Sequence, residues 1–182
     1  MSASEYSDRI TVRLKRQPDI LVDGGECYIA DMTVVTPDTL IVSNITNKCV
    51  QLLDSRNGRV LSQIQLQNEP GRLCLTDRTT AAVTMRDKIQ MIKVKDRSLT
   101  KGKKLTVREN VYGITFSKNS LVVSYGKPPW LQVISMKGKV LQQFDQPGKS
   151  KLFMFPWFMC TTPDGSVFIS DCDTDTITDV QR

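Results

Sequence analysis

The 182-residue sequence contains no histidine. That absence removes Ser-His-Asp and Cys-His catalysis, histidine general bases and most zinc enzymes in one step. Also missing is any apolar run of about 18 residues, the length a membrane-spanning helix requires. The opening "MSASEYSDRITVRLK" lacks the apolar core of a secretory signal. A soluble, cytoplasmic protein is expected. Its five cysteines, Cys27, Cys49, Cys74, Cys160 and Cys172, are odd in number and never form a C-x-x-C pair. Free buried thiols in a reducing compartment are expected rather than disulfides or zinc, and the "NIT" sequon at Asn44 is expected to be inert. No Walker A, G-x-G-x-x-G or G-x-S-x-G sequence occurs. No cofactor is implied.

What is present is repetition. Strand-like runs end on a hydroxyl at "LIVS" (Ser43), "AAVT" (Thr84), "LVVS" (Ser124) and "VFIS" (Ser170), spaced 41, 40 and 46 residues apart. A second run, "CVQLLD", "KIQMIK" or "WLQVIS", follows the first three and puts Gln51, Gln90 and Gln132 in register. Another apolar stretch precedes each hydroxyl across a turn such as "TPDT" or "TPDG". A third alternation follows downstream: "RVLSQIQL", "KKLTV" and "KVLQQF". Four short strands per unit of about 40 residues is the period of a β-propeller blade, and none of the runs shows the 3.6-residue spacing of a helical repeat. The blade faces are covered by neighbours, which explains nearly continuous apolar inner runs and alternating outer ones. The hydroxyls are expected to satisfy backbone groups where the chain leaves the sheet.

The expected fold is therefore all-β, a β-propeller of four-stranded antiparallel blades. Residues 27–66, 71–107 and 111–144 form complete blades and 157–182 an incomplete one. Arg9 to Ile20, "RITVRLKRQPDI", reads as an outer strand, which leaves two arrangements open. Either it belongs to a preceding blade of a partial ring, or it completes the last blade and closes a four-bladed ring. Proline, lysine and arginine within it favour the partial ring, whose exposed faces would drive self-association.

The segments "IVSNITNKCVQLLDSRNGRVL", "LVVSYGKPPWLQVISMKGKVL" and "CTTPDGSVFISDCDTDTITDV" resemble NHL repeats, in particular the C-terminal propeller of invertebrate tripartite-motif (TRIM) proteins. The resemblance runs from Ile10 to Val180. It implies a recognition module only, since the RING, B-boxes and coiled coil of such proteins have no counterpart in this sequence.

In such blades the corner between second and third strands and the link to the next blade share one end of the ring. That sorting groups Lys48, Arg72, Arg86, Lys88, Arg108 and Lys127, with Glu69, Asp87 and Glu109 nearby and Tyr112, Tyr125, Trp130 and Trp157 flanking. Lys48, Arg72, Arg86, Lys88, Arg108, Tyr112, Lys127 and Trp130 are the candidate partner-binding or RNA-binding residues. Cations interleaved with rings hold phosphates and stack bases, and the net charge of +6 points the same way. The competing reading is a solvated rim with aromatics packed between blades, and it is the stronger one for the basic residues and more so for Trp157. The run "KVKDRSLTKGKKLTVR" reads as lysine protection of a sheet edge. "DCDTDTITD" fails the EF-hand pattern, with Thr176 at the glycine position and Arg182 at the closing glutamate, so no metal is assigned. Inner strands read as "MTVVT", "LCLT", "ITFS" and "FMCT" carry no charge, which argues against catalysis. The expected function is non-catalytic recognition of a protein partner or ubiquitination substrate, with RNA binding by the same face as the alternative and a propeller hydrolase or lyase ranked third.

Overall fold

The structure, a computed structural model, describes residues 27–144 and 153–180. These residues form four antiparallel sheets and contain no helix. The first sheet holds β1 (Ile29–Thr36), β2 (Thr39–Asn44), β3 (Cys49–Asp54) and β4 (Val60–Gln65). The second holds β5 (Pro70–Asp77), β6 (Thr80–Met85), β7 (Lys88–Lys95) and β8 (Ser98–Thr106). β9 (Val111–Ser117), β10 (Ser120–Gly126), β11 (Pro129–Ser135) and β12 (Val140–Phe144) make the third, and β13 (Pro156–Thr161), β14 (Val167–Asp171) and β15 (Thr176–Val180) the fourth. Each strand pairs only with its chain neighbours. The molecule is a β-propeller, as the period implied. Arg9–Ile20, expected to be an outer strand, lies outside the described residues.

Local chemistry sets the hairpins. Asp96–Arg97 and Lys118–Asn119 occupy positive φ in pairs, the backbone of a type I′ turn whose twist matches that of the strands. Other turns are closed by side chains: Asp54 Oδ1 accepts from Arg56 N at 2.9 Å, and Asp77 Oδ1 from Thr79 N at 2.7 Å.

Three blade junctions are built alike. The inner strands pack β1 on β5, β5 on β9 and β9 on β13, and each second strand also meets the next inner strand, β2 on β5, β6 on β9 and β10 on β13. The cores between them are apolar: Ile41, Val50 and Leu52 meet Leu73, Ala81 and Val83, and Ala82, Ile89 and Met91 meet Ile114, Leu121 and Val123. Among the described residues no comparable packing of β14 on β1 occurs.

The hydroxyls clasp these junctions. Ser43 Oγ donates to the Gly71 carbonyl at 2.7 Å, Thr84 Oγ1 lies 3.2 Å from the Arg72 carbonyl and 3.5 Å from that of Tyr112, and Ser124 Oγ accepts from Gly113 N while donating to the Pro156 carbonyl, both at 2.8 Å. One side chain thus joins the inner strand of its own blade to the next. Gln51, Gln90 and Gln132 are all buried. The Gln90 amide holds β8 through the carbonyl of Gly102 at 2.9 Å, and Gln51 Nε2 reaches Gln63 on β4 at 2.9 Å. The lysine-rich run falls on β7 and on β8, the outermost strand of its sheet, with Lys104 Nζ on Gln67 Oε1 at 2.9 Å.

Two expectations need correction. All five cysteines are free, but only Cys49 is fully buried, with burial pushing its thiol up to about 11, while Cys160 and Cys172 are exposed. The inner strands are also charged, because β1 begins early enough to include Asp31 and β5 to include Arg72. Among the described residues no helix is long and apolar enough to cross a membrane.

Candidate recognition site

Every blade interrupts its inner-strand pairing near the same end. The register shifts between Ile29 and Asp31, between Pro70 and Leu73, opposite the Val123–Tyr125 step and between Pro156 and Phe158. A β-bulge re-aims the extra residue out of the alternation. The out-of-register residues include Ala30, Gly71 and Arg72, Tyr112, and Trp157. All of them line one pocket of about 430 Å³ at the blade-corner end. Lys48, Ile45, Glu69, Met85 and Arg86 complete its rim from the corners and links.

The wall between the third and fourth blades is aromatic. Tyr112 and Trp157 stack with centroids 5.3 Å apart, and Phe155 and Trp157 at 4.8 Å. Gly126 permits this arrangement: a Cβ there would fall 1.7 Å from Tyr112 Cε2, so any side chain would displace the ring. Arg72 occupies the mouth of the central channel, a second cavity of about 360 Å³ lined by residues of all four inner strands. Its guanidinium lies 3.9 Å from the Phe158 centroid and 5.3 Å from that of Trp157, and it donates to the Ala30 carbonyl. Asp31 faces the same axis but takes backbone N–H groups, from Met32 and Leu73, both at 2.9 Å.

The pocket gathers four of the expected residues: Lys48, Arg72, Arg86 and Tyr112. The other four are not among those that line it. Lys88 pairs with Asp87 at 3.8 Å. Arg108 lies 4.4 Å over the Trp130 ring, which is itself only 3% exposed, packed against Tyr125 in the core. Lys127 is exposed at the third blade's corner. Trp157, which the sequence favours as packing, does stack on Tyr112 and Phe155 and also lines both cavities, and Tyr28 joins it at the pocket. The signal for Trp157 was its place just before the fourth blade's first strand resumes alternation, where Tyr112 also sits in the third.

Acids are interleaved with the cations. Arg86 approaches Glu109 at 3.8 Å, and Glu69 lines the pocket. At the fourth corner Asp171 is buried. Burial by itself raises its carboxyl, but N–H groups of Met154, Phe155, Asp173 and Thr174 outweigh that and hold it below the usual carboxylate range. Its oxygens are therefore engaged by backbone, and among the described residues no group of three or more acidic or thiol side chains converges as a metal would need.

No protein-family model matches the sequence, and no curated protein does. Solved structures do resemble the fold. The computationally designed Ika4 protein aligns at a TM-score of 0.63 and 13% identity, over 88% of this chain and 94% of that one. The WD40 β-propeller domain of Doa1 aligns at 0.68 and 15% identity, over 85% of this chain and 51% of that one. A catalytically inactive virginiamycin B lyase from Staphylococcus aureus, with quinupristin, aligns at 0.63 and 15% identity, over 88% and 58%. At such identities the likeness establishes the propeller fold and nothing finer. The chain spans about half the length of these two natural structures.

Proposed function

We propose that the chain is a non-catalytic recognition module that takes a protein partner at the blade-corner pocket. The observation that carries this reading is the convergence of bulge residues from all four blades on one open, aromatic-walled pocket with a mixed-charge rim. Tyr28, Ile45, Pro70, Met85, Val111 and Trp157 supply an apolar lining, while Lys48 and Arg86 stand exposed at the edge. An apolar pocket inside a polar rim suits an anchoring side chain of a protein ligand. The cationic excess selects a partner segment with carboxylates flanking an apolar or aromatic residue. In a TRIM-like protein, which the blade signatures resemble, that segment would belong to a ubiquitination substrate.

RNA binding is the second reading, supported by stacked Tyr112 and Trp157 beside cations. It is the weaker because several cations are already engaged: Arg72 by rings and a carbonyl, Arg108 by Trp130, Arg86 and Lys88 by acids. Selection of phage-displayed peptides on the full chain tests the two. The expected result is enrichment of acidic segments with an apolar anchor, whose binding falls at least tenfold with Lys48→Glu combined with Arg86→Glu, and falls with Gly126→Ala through displacement of Tyr112. Peptides bound equally by these variants would overturn the reading. A single-stranded RNA oligonucleotide bound with a steep loss between about 0.05 and 0.2 M salt would transfer the site to nucleic acid.

A further inference from the structure

The three sealed junctions define what each blade face should meet, and the two outermost faces break that rule. The third-strand residue opposite each clasping hydroxyl is Val50 opposite Ser43, Ile89 opposite Thr84, Leu131 opposite Ser124 and Ile177 opposite Ser170. The first three are 0% exposed and Ile177 is 75% exposed. Beside it Phe158 is 52% exposed, and Ser170, unlike the other three hydroxyls, makes no side-chain hydrogen bond among the described residues. The opposite, receiving face shows the complementary lapse. Leu73 and Ile114, on the inner strands of the second and third blades, are 5% and 3% exposed, while Met32, in the same register in the first, is 62% exposed and Val34 is 58%.

The fourth blade thus ends in half a junction and the first begins with the other half. We infer that a second copy of this chain covers both, with the fourth blade of each copy packing on the first blade of the other, so that two chains close one eight-bladed ring about a two-fold axis. The two faces are repeat equivalents of faces that already mate three times within the chain, so a copy of it offers each the surface it was shaped for. Two such faces per copy permit closure rather than an open filament, provided the rotation closes. Propellers close with four to eight blades, and this chain aligns over 51% of the WD40 β-propeller domain of Doa1. This inference stands apart from the pocket, whose own test does not read assembly state.

Sedimentation velocity and light scattering on the full chain at micromolar concentration test it. The expected mass is twice the 20.5 kDa of one chain. Ile177→Lys and Met32→Glu, both at exposed positions of the single chain, should each give monomers with unchanged circular dichroism. Mixing the two variants should restore pairing, because one junction then joins two unaltered faces. A wild-type monomer would overturn the inference. So would a Met32→Glu dimer, which would mean that fourth blades meet each other instead.

Discussion

Ile89 and Ile177 hold the same place in their blades, yet one is sealed and the other is open to solvent. Neither the residue nor its strand distinguishes them. Both are isoleucines on third strands, facing a hydroxyl across an antiparallel pair. What differs is the neighbour: the second blade has the third stacked on it, and the fourth has no described blade beyond. In a repeat architecture, burial belongs to the interface between units rather than to the unit, and stability is close to a sum over such interfaces. An identical side chain therefore carries very different weight at two points of one molecule.

Truncation at the two sites should separate them most. Ile89→Ala leaves a cavity in the second junction and should lower unfolding free energy by about 2–5 kcal/mol in urea denaturation. Ile177→Ala should stay within about 0.5 kcal/mol in dilute solution, with a cost that grows at higher protein concentration as pairing is drawn in by mass action. Equal effects at low concentration would erase the comparison.

The fourth blade has its own source of order at the corner. Asp171 is held ionised by four backbone N–H groups, so its folded pKa lies below the unfolded value of about 3.9. Its stabilisation is present above that unfolded value and disappears as pH falls through the lower folded one. Thermal melts from about pH 5 down to pH 2 should show a declining midpoint, and Asp171→Asn should flatten that decline. Smallest is the clasp itself. Thr84→Val keeps the shape but removes the hydroxyl that bridges the second and third blades, at a cost of about 1 kcal/mol. Ser170→Ala, lacking a clasped partner, should cost less than half of that.

The period, the hydroxyl register and the glutamine row were legible in the sequence because they follow strand alternation. The features that build the pocket were not, because bulges break that alternation. Read as "MTVVT" and "LCLT", the first two inner strands stop short of Asp31 and Arg72, so Arg72 is read as part of a link rather than of a strand and Asp31 is not singled out at all. Trp157 sits at the equivalent interruption in the fourth blade, and its apolar run pointed to its packing against Tyr112 and Phe155 but not to its place in the cavity walls. Trp130 misleads in the opposite sense. It neighbours a basic corner in sequence, but strand β11 turns its ring inward beneath Arg108. Proximity along the chain located the corner without revealing which way the side chain faced.

The clasps also bear on how the chain acquires its shape. Ser43 to Gly71 and Thr84 to Tyr112 each span 28 residues, and Ser124 to Pro156 spans 32. Each latch can close as soon as the next inner strand has emerged, without waiting for the far end of the polypeptide. Loops of this length keep contact order modest for an all-β protein, and assembly can proceed in order of synthesis, each finished blade serving as the template for its successor.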